Sequence, residues 1–117
     1  MYKRQGRYNI QVYQGSTWTI SPQWKINNLY VDVTGYTAAM DVRYSASSTS
    51  TIIELSSANG RITVGTTDGK FTLTLTAAET AALTAGSYVY DLEITAPDGT
   101  VTRLLEGGFS VSPEVTR

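Results

Sequence analysis

The sequence predicts an all-β fold, an antiparallel β-sandwich of seven to ten short strands with one short helical crossover, and three observations carry that expectation. Apolar and polar residues alternate with a period of two. Phe71, Leu73 and Leu75 alternate with Thr72, Thr74 and Thr76, and Tyr88, Tyr90, Leu92 and Ile94 alternate with Val89, Asp91, Glu93 and Thr95. Such alternation marks half-buried antiparallel strands. Turn pairs follow at short intervals, Asn59-Gly60, Asp68-Gly69 and Asp98-Gly99, each between strand-like runs. Threonine, valine, tyrosine and isoleucine supply the accompanying β-branched and aromatic enrichment. A chain of 117 residues fits one domain with a single core.

From the N-terminus, residues 1–7 read as an arm that holds Lys3, Arg4 and Arg7 and no apolar run. The domain proper is expected over 8–112, followed by a tail at 113–117. Strands are expected near 8–13, 16–21, 24–27, 36–44, 51–56, 61–64, 70–76, 87–95, 100–106 and 108–112. Pro22 cannot donate to a ladder and belongs at an edge, a bend or a strand switch. Ala38, Met40, Val42 and Tyr44 alternate with Ala39, Asp41 and Arg43, and the SASSTST stretch at 45–51 is a polar loop. Thr76-Ala77-Ala78-Glu79 has capping-box spacing, with the Thr76 hydroxyl at the N-cap and the Glu79 carboxylate reaching back. Good helix formers continue to Leu83 and Ala85-Gly86 stops them, so a crossover of one or two turns is expected near 77–83.

Directly after that crossover stands Leu83-Thr84-Ala85-Gly86-Ser87-Tyr88. In immunoglobulin-like sandwiches a tyrosine at this place bonds back to the chain just upstream and pins the passage between sheets. Tyr88, with Gly86 before it, is therefore the expected fold determinant, and the sandwich is expected to be immunoglobulin-like. Tyr90 is a second candidate. Ala96-Pro97-Asp98-Gly99 fits a type I turn in which Gly99 takes the left-handed position of a G1 bulge.

Composition narrows the chemistry. The absence of cysteine excludes disulfides and thiolate metal sites, and the absence of histidine removes the commonest base and metal ligand. A formal charge of −1 supplies no field for nucleic acid or an anionic membrane. No apolar run is long enough to span a bilayer, and the start lacks a signal-peptide segment, so a soluble chain is expected. Asp91 and Glu93 share one strand face and form the best carboxylate pair for glycoside hydrolysis. That face also holds Ser87 and Thr95, and the hairpin register sets Glu93 opposite Arg103, so an exposed ion pair is the expectation. Lys3, Lys25 and Lys70 look exposed, which leaves no Ser-Lys pair, and Gly107-Gly108 ends a strand without opening a helix. Calcium at Asp32, Asp41, Asp91 or Asp98 lacks a supporting loop pattern. Trp18 and Trp24 admit a sugar platform, but their strand spacing beside Ile20 and Ile26 favours core. Neither a catalytic centre nor a cofactor is expected.

The stretches YNIQVYQGSTWTI, VDVTGYTAAMDVRYSA, GRITV and GKFTLTLTAAETAALTAGSYVYDLEITAPDGTVTRLLEGGFSVSPEVTR resemble a family of small virion proteins of tailed bacteriophages and prophages. They are similar to the N-terminal domain of phage baseplate upper proteins. The resemblance spans nearly the whole chain and is densest at 76–83, 86–92 and 98–111. One departure is Gln14-Gly15-Ser16, where the family often carries an acidic residue after the glycine. The resemblance implies a virion β-sandwich that works by assembly: a tail, baseplate or fibre-attachment adaptor, or a capsid decoration protein. The opposing class is a carbohydrate-binding module on the host surface. Partners would be other virion proteins and further copies of the chain, in a particle assembled in the host cytoplasm. Lys3, Arg4, Arg7, Val89, Leu105 and Arg117 are the candidate assembly residues, Val89 and Leu105 as outward apolar groups on the last hairpin.

Overall fold

The computed structural model describes residues 6–113; the candidates Lys3, Arg4 and Arg117 lie outside the described residues. In chain order the strands are β1 (Gly6–Arg7), β2 (Ile10–Tyr13), β3 (Trp18–Ile20), β4 (Lys25–Ile26), β5 (Leu29–Tyr30), β6 (Thr37–Arg43), β7 (Ile53–Ser56), β8 (Ile62–Val64), β9 (Phe71–Leu75), β10 (Gly86–Thr95) and β11 (Val101–Ser112). Helix α1 (Ala77–Ala81) separates β9 from β10. The larger sheet runs β1-β11-β10-β6-β7, with β2 also on β11, and the smaller runs β3-β9-β8.

The alternation read from the sequence decides what these sheets bury. Met40, Val42, Leu92, Ile94 and Phe109 of the larger sheet and Phe71, Leu73 and Leu75 of the smaller are all fully buried in one cluster. Each such side chain contributes roughly 1.5–3 kcal/mol relative to exposure. The result is the expected all-β, immunoglobulin-like sandwich. Its crossover helix carries the capping box, with Thr76 Oγ1 accepting from Glu79 N–H and Glu79 Oε1 from Thr76 N–H. Thr80, fully buried, ties α1 to the chain before β3 by donating to the Ser16 carbonyl and accepting from Gly15 N–H.

Three expectations need correction. The strand expected over 8–13 is β2 alone, Ile10–Tyr13, and the expected arm 1–7 ends in a strand of its own, β1. Both run parallel to β11 in one register, Gly6 beside Leu105 and Ile10 beside Phe109. The break is at Tyr8-Asn9, where the Asn9 side-chain oxygen accepts from Gly108 N–H in place of backbone. The segments 100–106 and 108–112 are one strand of 12 residues. Gly107 does not end it: a Cβ there would stand 2.4 Å from the Tyr8 carbonyl oxygen, so the glycine marks a close approach of two backbones. Finally, 24–27 is not a lone strand but the first arm of a hairpin, β4–β5.

Candidate functional site

The two tyrosines of β10 hold the frame on which the surfaces are built. Tyr88 is 5% exposed, and its hydroxyl donates to the Thr84 carbonyl at 2.6 Å, closing the corner between α1 and β10. Gly86 opens the strand beneath it; a Cβ there would lie 3.3 Å from the Tyr88 hydroxyl. Tyr90 makes a different bond, donating at 2.6 Å to the carbonyl of Tyr8 and so bolting the N-terminal strands to the sheet. Burial pushes the ionisation of both phenols above the ordinary value. Gly99 sits at φ +93 in the expected turn, with Gly99 N–H donating to Ala96 O and Ala96 N–H to Thr100 O.

Outward on the larger sheet the register lines up like charges. Asp41 of β6 stands opposite Asp91 of β10, and Asp91 opposite Glu106 of β11, while Asp41 is flanked on its other side by Glu54 of β7. Carboxylates directly opposed across strands repel. Guanidinium groups offset this in part: Arg43 bonds Asp41 at 3.0 Å, and Arg103 lies 3.5 Å from Asp91 and 3.4 Å from Glu106. Glu93 is opposite Arg103, as expected, but the arginine's recorded ion pairs are with Asp91 and Glu106 instead. The cause is a bulge. Leu92 pairs with Leu105 and Glu93 with Arg103, so Leu104 is the extra residue. It is buried, and Leu105, expected on the outer side, is half-buried against the core.

Val89 does face outward, 38% exposed. It stands between Arg43 and Gly108 in the register and helps to line a shallow depression of about 560 Å³. Gly107 and Gly108 contribute no side chains to its lining, while Arg7, Asp41, Arg43, Asp91, Glu93, Arg103 and Glu106 bring charge. Among the described residues no group of three acidic ligands forms that could hold a metal ion. Asp32 and Asp98 instead cap their own loops, accepting from Thr34 and Thr100 N–H. Trp18 and Trp24 are half-buried against the core, edge-on to Phe109 and Tyr36.

The second surface was not expected. Hairpin β4–β5 turns through Asn27 and Asn28, both with positive φ, 55° and 66°, the backbone of a type I′ turn. Asparagine tolerates that conformation, and Lys-Ile-Asn-Asn-Leu-Tyr held the signal, although Asn-Asn is weaker than the Asn-Gly pairs elsewhere. Its tip exposes Ile26 (38%), Leu29 (71%) and Tyr30 (47%), with the Lys25 ammonium 4.7 Å from the Tyr30 ring centroid. Its base is fixed. Trp24 N–H donates to Gly69 O at 2.8 Å, Val31 N–H to Trp24 O at 3.0 Å, and Val33 N–H to Thr66 O at 2.8 Å. Gly69 is required there, since its φ is +62 and a Cβ would meet Trp24 O at 2.5 Å.

No family model matches the chain, and no curated protein matches it. Among solved structures, CopC from Methylosinus trichosporium OB3b is similar at 15% identity and a TM-score of 0.48, over 92% of this chain and 89% of that one. Murine CRIg is similar at 16% identity and a TM-score of 0.43, over 92% of each chain.

Proposed function

We propose that the chain is a virion structural protein of a tailed bacteriophage or prophage, acting by assembly and without catalysis as a tail, baseplate or fibre-attachment adaptor. The observation that carries this reading is the β4–β5 hairpin, whose base is held by three backbone bonds while Leu29 at its tip stays 71% exposed. An apolar group held largely exposed on a fixed projection is suited to being covered by another chain. The sequence resemblance supplies the setting, a particle assembled in the host cytoplasm. A head decoration protein would use the same surface, and position on the particle separates the two.

The test is to purify particles from the encoding phage, quantify this chain by mass spectrometry and locate it with gold-labelled antibody. Stoichiometric presence at the tail or baseplate is expected, and labelling over the head would select decoration. Particles that lack the chain would refute the proposal.

A further inference from the structure

Resting on that reading, we propose that the partner of the hairpin includes a second copy of this chain, and that the tip of one copy seats in the charged depression of the next. The two surfaces lie apart on one molecule. The hairpin is at the end of the sandwich that holds the 96–99 turn, where a Cβ on Gly35 would touch Pro97. The strand β6 begins at that end, with Thr37 opposite Thr95, and finishes at Arg43 beside Val89. The depression runs from Glu93 and Arg103 across the sheet to Arg43, Ala46 and Val89, away from that turn. Contact between them is heterologous, and each copy keeps one free knob and one free socket.

Shape and charge both favour the match. The tip presents Ile26, Leu29 and Tyr30 with a single cation, Lys25, and no anion between positions 25 and 30. The socket has Val89 and two glycines in its lining, a volume of about 560 Å³ for the side chains of a turn, and four carboxylates against three guanidinium groups. That leaves one negative charge in excess, and a lysine arriving from outside relieves a repulsion along the Asp41–Asp91–Glu106 row that Arg43 and Arg103 only partly offset.

The experiment uses the full chain and two variants, Leu29→Asp to spoil the knob and Val89→Arg to fill the socket, each checked for native circular dichroism. Sedimentation across a concentration series at low salt reads the association. Wild type should grow beyond the dimer, and each variant alone should associate roughly tenfold or more weakly, as for loss of a central interface side chain. Mixed in equal amounts, the variants should form a 1:1 dimer that stops there, because one retains its socket and the other its knob. A mixture that stays monomeric overturns the inference, as does a wild-type chain that is monomeric throughout. Either result leaves the virion reading to its own test, since a chain that meets only foreign partners would still be found in particles.

Discussion

Tyr88 and Tyr90 are two residues apart on one strand and point the same way, yet their hydroxyls do unrelated work. Tyr88 bonds four residues back within its own crossover, and Tyr90 bonds 82 residues back across the sheet. Tyr88→Phe keeps the ring and removes the bond, leaving the Thr84 carbonyl to find another donor. The expected loss is about 1 to 3 kcal/mol, read as a lowered denaturant midpoint at unchanged slope; an unchanged midpoint would show that the corner bond is not a determinant. The two phenols also set an alkaline limit. A group whose folded ionisation is raised contributes stability that is complete below tyrosine's ordinary value of 10.0 and is lost as pH climbs through the folded value. Stability should therefore decline above that point, and Tyr90→Phe should lessen the decline. Ultraviolet difference titration should show the Tyr88 and Tyr90 phenols ionising above the ordinary tyrosine value.

Strand β7 is an edge of the larger sheet, and side chains from the turn after it cover the edge. Asn59 Oδ1 accepts from Ser56 N–H at 3.0 Å, Asn59 Nδ2 donates to Glu54 O at 3.0 Å, and Arg61 donates to the same carbonyl at 2.9 Å. Edges left bare are templates for unwanted pairing. Asn59→Ala should cost roughly 0.5–1.5 kcal/mol for each bond lost and speed hydrogen exchange at Ser56. Unchanged exchange there would mean the cap is incidental. Elements of this kind mark the limit of what the sequence discloses. Period-two alternation located the interior strands and the capping box located α1, because both are local patterns. Three things depended on distant partners. Gly107 is explained by Tyr8, 99 positions away, the bulge at Leu104 by the strand opposite, and the cap of β7 by a turn whose Asn-Gly pair signalled only a reversal. Of the candidate surfaces, Val89 was legible from alternation alone. The hairpin was not, since its apolar tip reads as a short strand until the positive φ of both asparagines is known.

The whole molecule combines a polar, charge-paired sheet face with an apolar projection, and the candidate arm enters the structure beside the charged face. Gly6 and Arg7 are already strand, paired to Leu105 and Glu106 at the border of the charged depression. Deleting residues 1–5 removes Lys3 and Arg4 and no apolar run that a core would need, so the thermal midpoint should stay within a few degrees. If the arm carries attachment, particle binding should fall, and for the full chain it should weaken with salt on the scale of a Debye length of about 8 Å. A truncated chain that binds particles normally would show that the arm has no such part.

The parallel pairing of β1 and β2 with β11 has a mechanical consequence. The chain enters β1 beside Leu105 and leaves β11 beside Tyr13, at opposite ends of the same seam. Tension applied along the backbone from Gly6 to Ser112 would drag these strands past one another lengthwise. Their bonds would then bear load together as in a lap joint, not open one at a time like a zip. Tyr90, gripping Tyr8 from the neighbouring strand, acts as a rivet through that joint. Since forced rupture is governed by the unfolding rate, single-molecule pulling should find a high peak force that Tyr90→Phe lowers. A chain with this seam can transmit a pull from one neighbour to the next without unravelling.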